Sequence, residues 1–260
     1  MREVQIHPTA IVHPGAKIGE GCRIGPYSVV GGDVTLGPDC ELVSHAVLQG
    51  VTEVAEGCRF FPFCSIGLEP QDLKYRGEPT RVAIGSRNTF REFVTVHAGT
   101  PGGGGVTTIA DQNLFMAYTH VAHDCKVGSG TIFANAATLA GHVTVEDFSV
   151  IGAFSGVHQF CRIGAHAYIG GYSVITQDAL PYVLTVGNRA RAFGINHIGL
   201  KRKNFSEETI TGLRRAYRLL FHSKLTTTRA LARIDEELGE IPEVAYLSAF
   251  IRSSERGIVK

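Results

Sequence analysis

The chain has 260 residues, 44% of them hydrophobic and 19% charged, with a formal net charge of +1. That length allows one elongated domain with a smaller appendage, and the near-neutral balance argues against a nucleic-acid binder. No run approaches the roughly 20 apolar residues that span a bilayer, and no apolar stretch follows Arg2, so a soluble, cytoplasmic protein without stable membrane insertion is expected.

From Ile6 a hydrophobic residue recurs every six positions: Val12, Ile18, Ile24, Val30, Leu36, Leu42, Leu48, Val54, Phe60 and Ile66. The register returns at Ile84, Phe90 and Val96, then runs from Ile109 through Val121, Val127, Leu139, Val145, Val157 and Ile163 to Ile175. A period of six is neither helical nor a long strand alternation. It fits a short strand plus a turn, three of which close one triangular coil of a left-handed parallel β-helix. The glycines, 31 in all, suit a chain that turns so often.

Two interruptions predict loops, at about 67–83 and 101–108. The first is the polar stretch between Ile66 and Ile84. In the second, Val96 and Ile109 are thirteen apart and the surplus centres on Gly102 to Gly105. Insertions in a solenoid become outer loops, where function concentrates.

Cys22, Cys40, Cys58, Cys64, Cys125 and Cys161 each fall four residues after a register hydrophobe, a phase otherwise filled by small residues such as Ala46, Ala137 and Ser149. This is the second inward position of the hexad, where cysteine serves as a small hydrophobe. No CxxC spacing favours a metal or redox role.

The prism is expected over 1–190 and a helical domain over 191–260. Ser206 reads as an N-cap, followed by Glu207 and Glu208, with Ile210, Leu213, Tyr217 and Leu220 at helical spacing. Further helices are expected near 226–238 and after Pro242. The segment 186–225 carries nine basic and two acidic residues, nine minus two giving +7, which suits phosphate or an acidic partner as well as a solvated face.

Equivalent points on successive coils lie eighteen residues apart, so His123, Gly141 and Gln159 form one column, flanked by Asp124 with His142 and by His158. The patch admits capping histidines, a metal site, or a general base beside a groove. No two histidines are five apart, against the His-x4-His zinc pair of β-helical carbonic anhydrases, so neither a metal nor another cofactor is expected. As a base, His123 has Asp124 beside it, and Gly141 offers room and an N–H for developing negative charge. With no Gly-x-Ser-x-Gly elbow, direct attack by a substrate hydroxyl fits better than an acyl-enzyme.

Gln71-Asp72-Leu73-Lys74-Tyr75, Ala122-His123-Asp124-Cys125, Leu139-Ala140-Gly141-His142-Val143, Val157-His158-Gln159-Phe160-Cys161 and Gly199-Leu200-Lys201-Arg202 closely resemble the acyl-ACP–UDP-N-acetylglucosamine O-acyltransferases, which open lipid A synthesis. The likeness spans essentially the whole chain. It implies His123 as general base, Asp124 as its orienting partner and the Gly141 N–H as oxyanion donor. It implies that Asp72, Lys74, His120, His142, His158 and Gln159 line the substrate groove, with Asn196 and Arg202 at the nucleotide end. Gly171 matches the position that limits acyl length. The implied partners are a 3-hydroxyacyl carrier protein, UDP-N-acetylglucosamine and two further copies in a homotrimer. Ile198 and Lys203 depart from the glutamate and arginine of some members, which bears on nucleotide contacts. A later N-acyltransferase of the pathway and a scaffold solenoid are the competing readings; the scaffold gives no reason to gather four polar groups on one patch.

Overall fold

The computed structural model describes residues 2–260. Each hexad contributes a strand of two to four residues, and every third strand pairs in parallel with the one a coil below. Three sheets of eleven, nine and eight strands result, closing the left-handed parallel β-helix. The register is i to i+18: Ile6 lies beside Ile24, Val12 beside Val30 and Ile18 beside Leu36. In strands this short one residue points in and its neighbour out, so the hydrophobic member of each hexad builds the core.

Phe60, Phe90, Phe115 and Phe133 stack along one inner face, with successive centroids 5.0, 4.9 and 4.8 Å apart. Burying each ring contributes about 1.5–3 kcal/mol. The six cysteines are free and buried at the small inward position, where the Cys125 thiol donates to Ala140 O at 3.1 Å.

Two register steps measure the insertions. Phe60 pairs with Phe90, 30 residues on, and Phe90 with Phe115, 25 on; subtracting 18 leaves 12 and 7 extra residues. Ser65–Leu68 and Arg81–Ile84 are strands, so the first loop occupies 69–80 and is tighter than the 67–83 expected. Val106–Ile109 is also a strand, paired with Arg81–Ile84, so the second insertion lies at 98–105 and includes a 3-10 turn, Pro101–Gly103. Apolar spacing placed it late because Thr107, a buried inward residue of that strand, is polar.

Val183–Val186 and Arg191–Ile195 form an antiparallel pair that ends the first sheet, so 191–195 are strand, not helix. Helix α1 (His197–Arg202), too short to show a period, follows. Then come α2 (Glu207–Phe221), α3 (Thr227–Leu238) and α4 (Pro242–Arg252). The Ser206 hydroxyl accepts from Thr209 N–H and that of Thr226 from Arg229 N–H, caps worth about 1 kcal/mol each. Leu213, Ile234, Leu247 and Phe250 share a core with Leu180 and Val183 of the prism top. Buried Asp178 holds the C-terminal tail there: its carboxylate accepts from Arg162 N–H and Ser254 O–H, and its backbone bonds Gly257 and Val259.

Candidate active site

The corner joining the second sheet to the third carries the column read from the sequence. Val121, Leu139 and Val157 are in register, so His123, Gly141 and Gln159 follow one above another. Asp124 and His142 take left-handed backbone at φ 59° and 62°, a conformation aspartate and histidine tolerate better than most residues.

The Asp124 carboxylate is fully buried, and its Oδ2 lies 2.8 Å from His123 Nδ1. Thr100 supplies the remaining donors: its N–H at 2.9 Å to Oδ1 and 3.1 Å to Oδ2, and its hydroxyl at 2.6 Å to Oδ2. The Asp124 N–H is held by Thr107 Oγ1 at 2.8 Å. The glycine-rich insertion therefore forms a cradle for this acid. A Cβ on Gly103 would fall 2.0 Å from the Asp124 Cγ, and one on Gly99 would lie 2.8 Å from its Oδ1. Thr100 and Thr107 are functional residues that hydrophobic periodicity missed; the only signal was the surplus length beside the glycine run.

An ionised carboxylate only accepts, so His123 carries its proton on Nδ1 and presents a lone pair at Nε2. Gly141 leaves the space for that ring, since a Cβ there would sit 2.4 Å from His123 Cε1 and 2.6 Å from Nε2. Among the described residues, the Gly141 N–H donates to no backbone carbonyl. His142 meets His123 edge-on at 5.0 Å and stacks on Phe160 at 4.6 Å. Burial lowers the pKa of His142; Asp124 and Asp72 oppose that shift and His123 reinforces it. Asp72 thus lies within electrostatic reach of the corner, on the first insertion.

On the strand that leads into the corner, the His120 Nδ1 lies 2.7 Å from Thr95 Oγ1 of the coil below, and its ring meets His97 of that coil edge-on at 4.9 Å. Burial, then His120 and His123, push His97 down to about 4; burial and His123 also lower His120. His158 and Gln159 are exposed at the upper end of the corner. Lys74 is exposed on the first insertion, with its amide bonded to Asp72 Oδ1 at 2.9 Å.

Asn196 stands elsewhere. Its amide caps α1, accepting from Gly199 N–H at 3.1 Å, and donates to His166 O at 3.0 Å, on the corner joining the third sheet to the first. Arg202 ends the same helix, and the Lys203 ammonium lies 4.3 Å from the Phe148 ring centroid. Gly171 sits on the remaining corner, where a Cβ would meet Ala153 O at 3.2 Å. One chain therefore gathers Asp72, His123, Asp124, Gly141 and His142, but not Asn196, Arg202 or Gly171.

His123, Asp124 and His142 also place ligand atoms within 4.8 Å of one another, close enough to hold a metal ion. The Asp124 carboxylate, however, already accepts both Thr100 donors and the His123 N–H, which leaves it poorly disposed to coordinate.

Residues 178–259 match a family profile described as UDP N-acetylglucosamine O-acyltransferase, domain 2. Residues 1–32, 15–50 and 142–177 match the bacterial transferase hexapeptide. The acyl-[acyl-carrier-protein]–UDP-N-acetylglucosamine O-acyltransferase of Thermodesulfovibrio yellowstonii is 49% identical over 98% of this chain and 99% of its own. The chain belongs to this acyltransferase family. The LpxA structure from Acinetobacter baumannii superposes with a TM-score of 0.95 at 46% identity, covering 98% of this chain and 99% of that one. The UDP-N-acetylglucosamine O-acyltransferase (LpxA) of Moraxella catarrhalis does so at 0.93 and 41%, with the same coverage of each chain. Family and fold thus agree on an acyltransferase along the whole length, helical domain included.

Proposed function

We propose that this acyltransferase moves a 3-hydroxyacyl chain from acyl carrier protein to the 3-hydroxyl of UDP-N-acetylglucosamine, the step that opens lipid A synthesis, with His123 as general base. The observation that carries the mechanism is the buried Asp124–His123 pair standing beneath a side-chain-free Gly141. His123 Nε2 takes the proton from the sugar hydroxyl as its oxygen attacks the thioester carbonyl. The carbonyl electron pair moves onto oxygen, where the Gly141 N–H donates to it. Collapse of that intermediate breaks the C–S bond, and the departing thiolate receives the proton from the His123 imidazolium. Asp124 keeps the ring's tautomer and stabilises its charged form.

Asn196, Arg202 and Gly171 lie on other corners of the same chain, and they reach such a site only from a neighbouring prism. A trimer with sites between subunits accommodates them, Asn196 and Arg202 serving the nucleotide and Gly171 the end of the acyl chain. His120, His142, His158, Gln159, Asp72 and Lys74 line the groove in this reading. No helix among the described residues is long and apolar enough to cross a membrane, in keeping with a cytoplasmic enzyme whose substrates are soluble.

The test is a radiolabelled transfer assay that offers UDP-N-acetylglucosamine and a series of 3-hydroxyacyl carrier proteins, with and without chelator. Chelator-resistant formation of a 3-O ester supports the reading. Transfer to a 3-amino analogue alone would replace the acceptor, and transfer to neither would refute the function.

A further inference from the structure

His123 is held by a carboxylate, which fixes its proton on Nδ1. A second imidazole of the groove, His120, is held by a hydroxyl, and the consequence for its proton is the reverse. Thr95, His120, Thr138 and Gly156 form one outward column of the second sheet, each beside the next in parallel register. His120 precedes His123 by three residues and opens the strand that leads into the catalytic corner. Its Nδ1 lies 2.7 Å from Thr95 Oγ1, and among the described residues this is the only hydrogen bond that either side chain makes.

Within the strand Thr95–His97, Val96 points into the core, and Thr95 and His97 flank it on the outer face. His120 rests on both, since the His97 ring meets it edge-on at 4.9 Å. Histidine χ2 is a broad, two-fold torsion, so a ring needs contacts of this kind to keep one orientation. His97 is 6% exposed and its Nδ1 is buried without a partner. Burial above all holds its pKa down to about 4, so at neutral pH it sets no charge beside His120. The Thr138 hydroxyl, next up the column, donates to Ala136 O at 3.3 Å and does not compete for the ring.

A hydroxyl can donate or accept, whereas a neutral imidazole has one N–H and one lone pair. Burial, then His123, lowers the pKa of His120, which keeps its ring neutral at neutral pH. Were its Nδ1 the donor, the Thr95 proton would find no acceptor among the described residues. With Thr95 as donor the pair is satisfied, and the His120 proton sits on Nε2, which bonds nothing in the protein and is left for the groove.

We infer that Thr95 is a positioning residue of the reaction: its hydroxyl fixes His120 as the Nε2–H tautomer. The groove then offers one imidazole, His123, as a base and the other, His120, as a neutral hydrogen-bond donor. This role rests on the acyl transfer proposed above. A neutral donor suits an uncharged acceptor oxygen of a substrate, a hydroxyl or a carbonyl, whereas a phosphate is better met by a cation.

The experiment is a double-mutant cycle of Thr95→Val and His120→Phe in the transfer assay, with Thr95→Ser as the conservative variant and nitrogen NMR of histidine-labelled protein beside it. Valine keeps the shape and strand preference of threonine, so circular dichroism should show the variant folded. Thr95→Val should lower kcat/KM roughly two- to tenfold, the share of one neutral hydrogen bond, and Thr95→Ser should return most of it. On the His120→Phe background Thr95→Val should change nothing further, because the hydroxyl acts only through that ring. In the spectrum the His120 signals, assigned by their absence in His120→Phe, should show a protonated Nε2 and a bare Nδ1, and Thr95→Val should mix the two tautomers. A KM raised for the sugar nucleotide alone, or for the acyl donor alone, names the substrate that brings the oxygen, and either accords with the role. Losses that add across the cycle, or a wild-type His120 protonated on Nδ1, overturn it. No transfer by the wild type from any donor removes the proposed function and this role with it, while the spectrum, which needs no substrate, separates that failure from a wrong tautomer.

Discussion

Gly141→Ala is the substitution whose effect the structure defines most closely. The added Cβ would stand 2.4 Å from His123 Cε1, 2.6 Å from Nε2 and 3.0 Å from Nδ1. Carbon atoms in contact prefer about 3.5–4.0 Å, so the imidazole must retreat by about 1 Å. Such a shift strains the 2.8 Å hydrogen bond to Asp124 and moves Nε2 from the place where it would meet a sugar hydroxyl. Misplacement by about 1 Å costs on the order of 10²-fold in rate, and that is the fall in kcat expected here. Gly141 does not occupy the left-handed region, so alanine suits its backbone and the thermal midpoint should stay close to wild type. The substitution keeps the backbone N–H, which separates crowding of the base from loss of the oxyanion donor. Steady-state transfer kinetics and a crystal structure of the variant are the assays. A nearly wild-type kcat, or a His123 ring that has not moved, would refute the reasoning.

Thr100→Val removes the hydroxyl that donates to the buried Asp124 carboxylate at 2.6 Å, and should cost about 1.5–3 kcal/mol in chemical denaturation while lowering kcat. Unchanged stability would mean that the insertion does not hold the acid. His97 is pushed from 6.5 to about 4, so below pH 6.5 the unfolded chain binds a proton that the folded one refuses. Its contribution is complete above 6.5 and is lost as pH falls toward 4; His120, His142 and His166 shift the same way. Thermal midpoints should therefore drop across that window, less steeply in His97→Gln, and identical slopes would exclude His97 as a source. Gly171→Met should move the donor preference toward shorter acyl chains in a competition assay, and an unchanged profile would remove Gly171 from the acyl groove.

The six-residue period makes the prism legible because each coil repeats one geometric demand, an inward hydrophobe followed by a small residue at the turn. Column arithmetic then brings His123, Gly141, His142, His158 and Gln159 to one corner, since register in a solenoid is counting. Counting fails where the chain leaves the coil. Thr100 and Thr107 reach Asp124 from an insertion and from the strand that follows it, and their roles are set by hydrogen bonds that leave no periodic trace. The stacking of Phe160 on His142 escaped for a related reason, because left-handed turn residues project along the corner and are not part of the inward pattern. Arg191–Ile195 and α1 are too short for a period to declare them, whereas α2 to α4 carry a capping residue or an opening proline and a helical stripe that sequence reveals.

The most direct test of the central claim is the turnover of His123→Ala beside the wild type, with UDP-N-acetylglucosamine and a 3-hydroxyacyl carrier protein as substrates. A general base held by Asp124 predicts a loss of roughly 10²–10⁴-fold in kcat with the fold intact by circular dichroism. Near wild-type turnover in a folded variant would contradict the account.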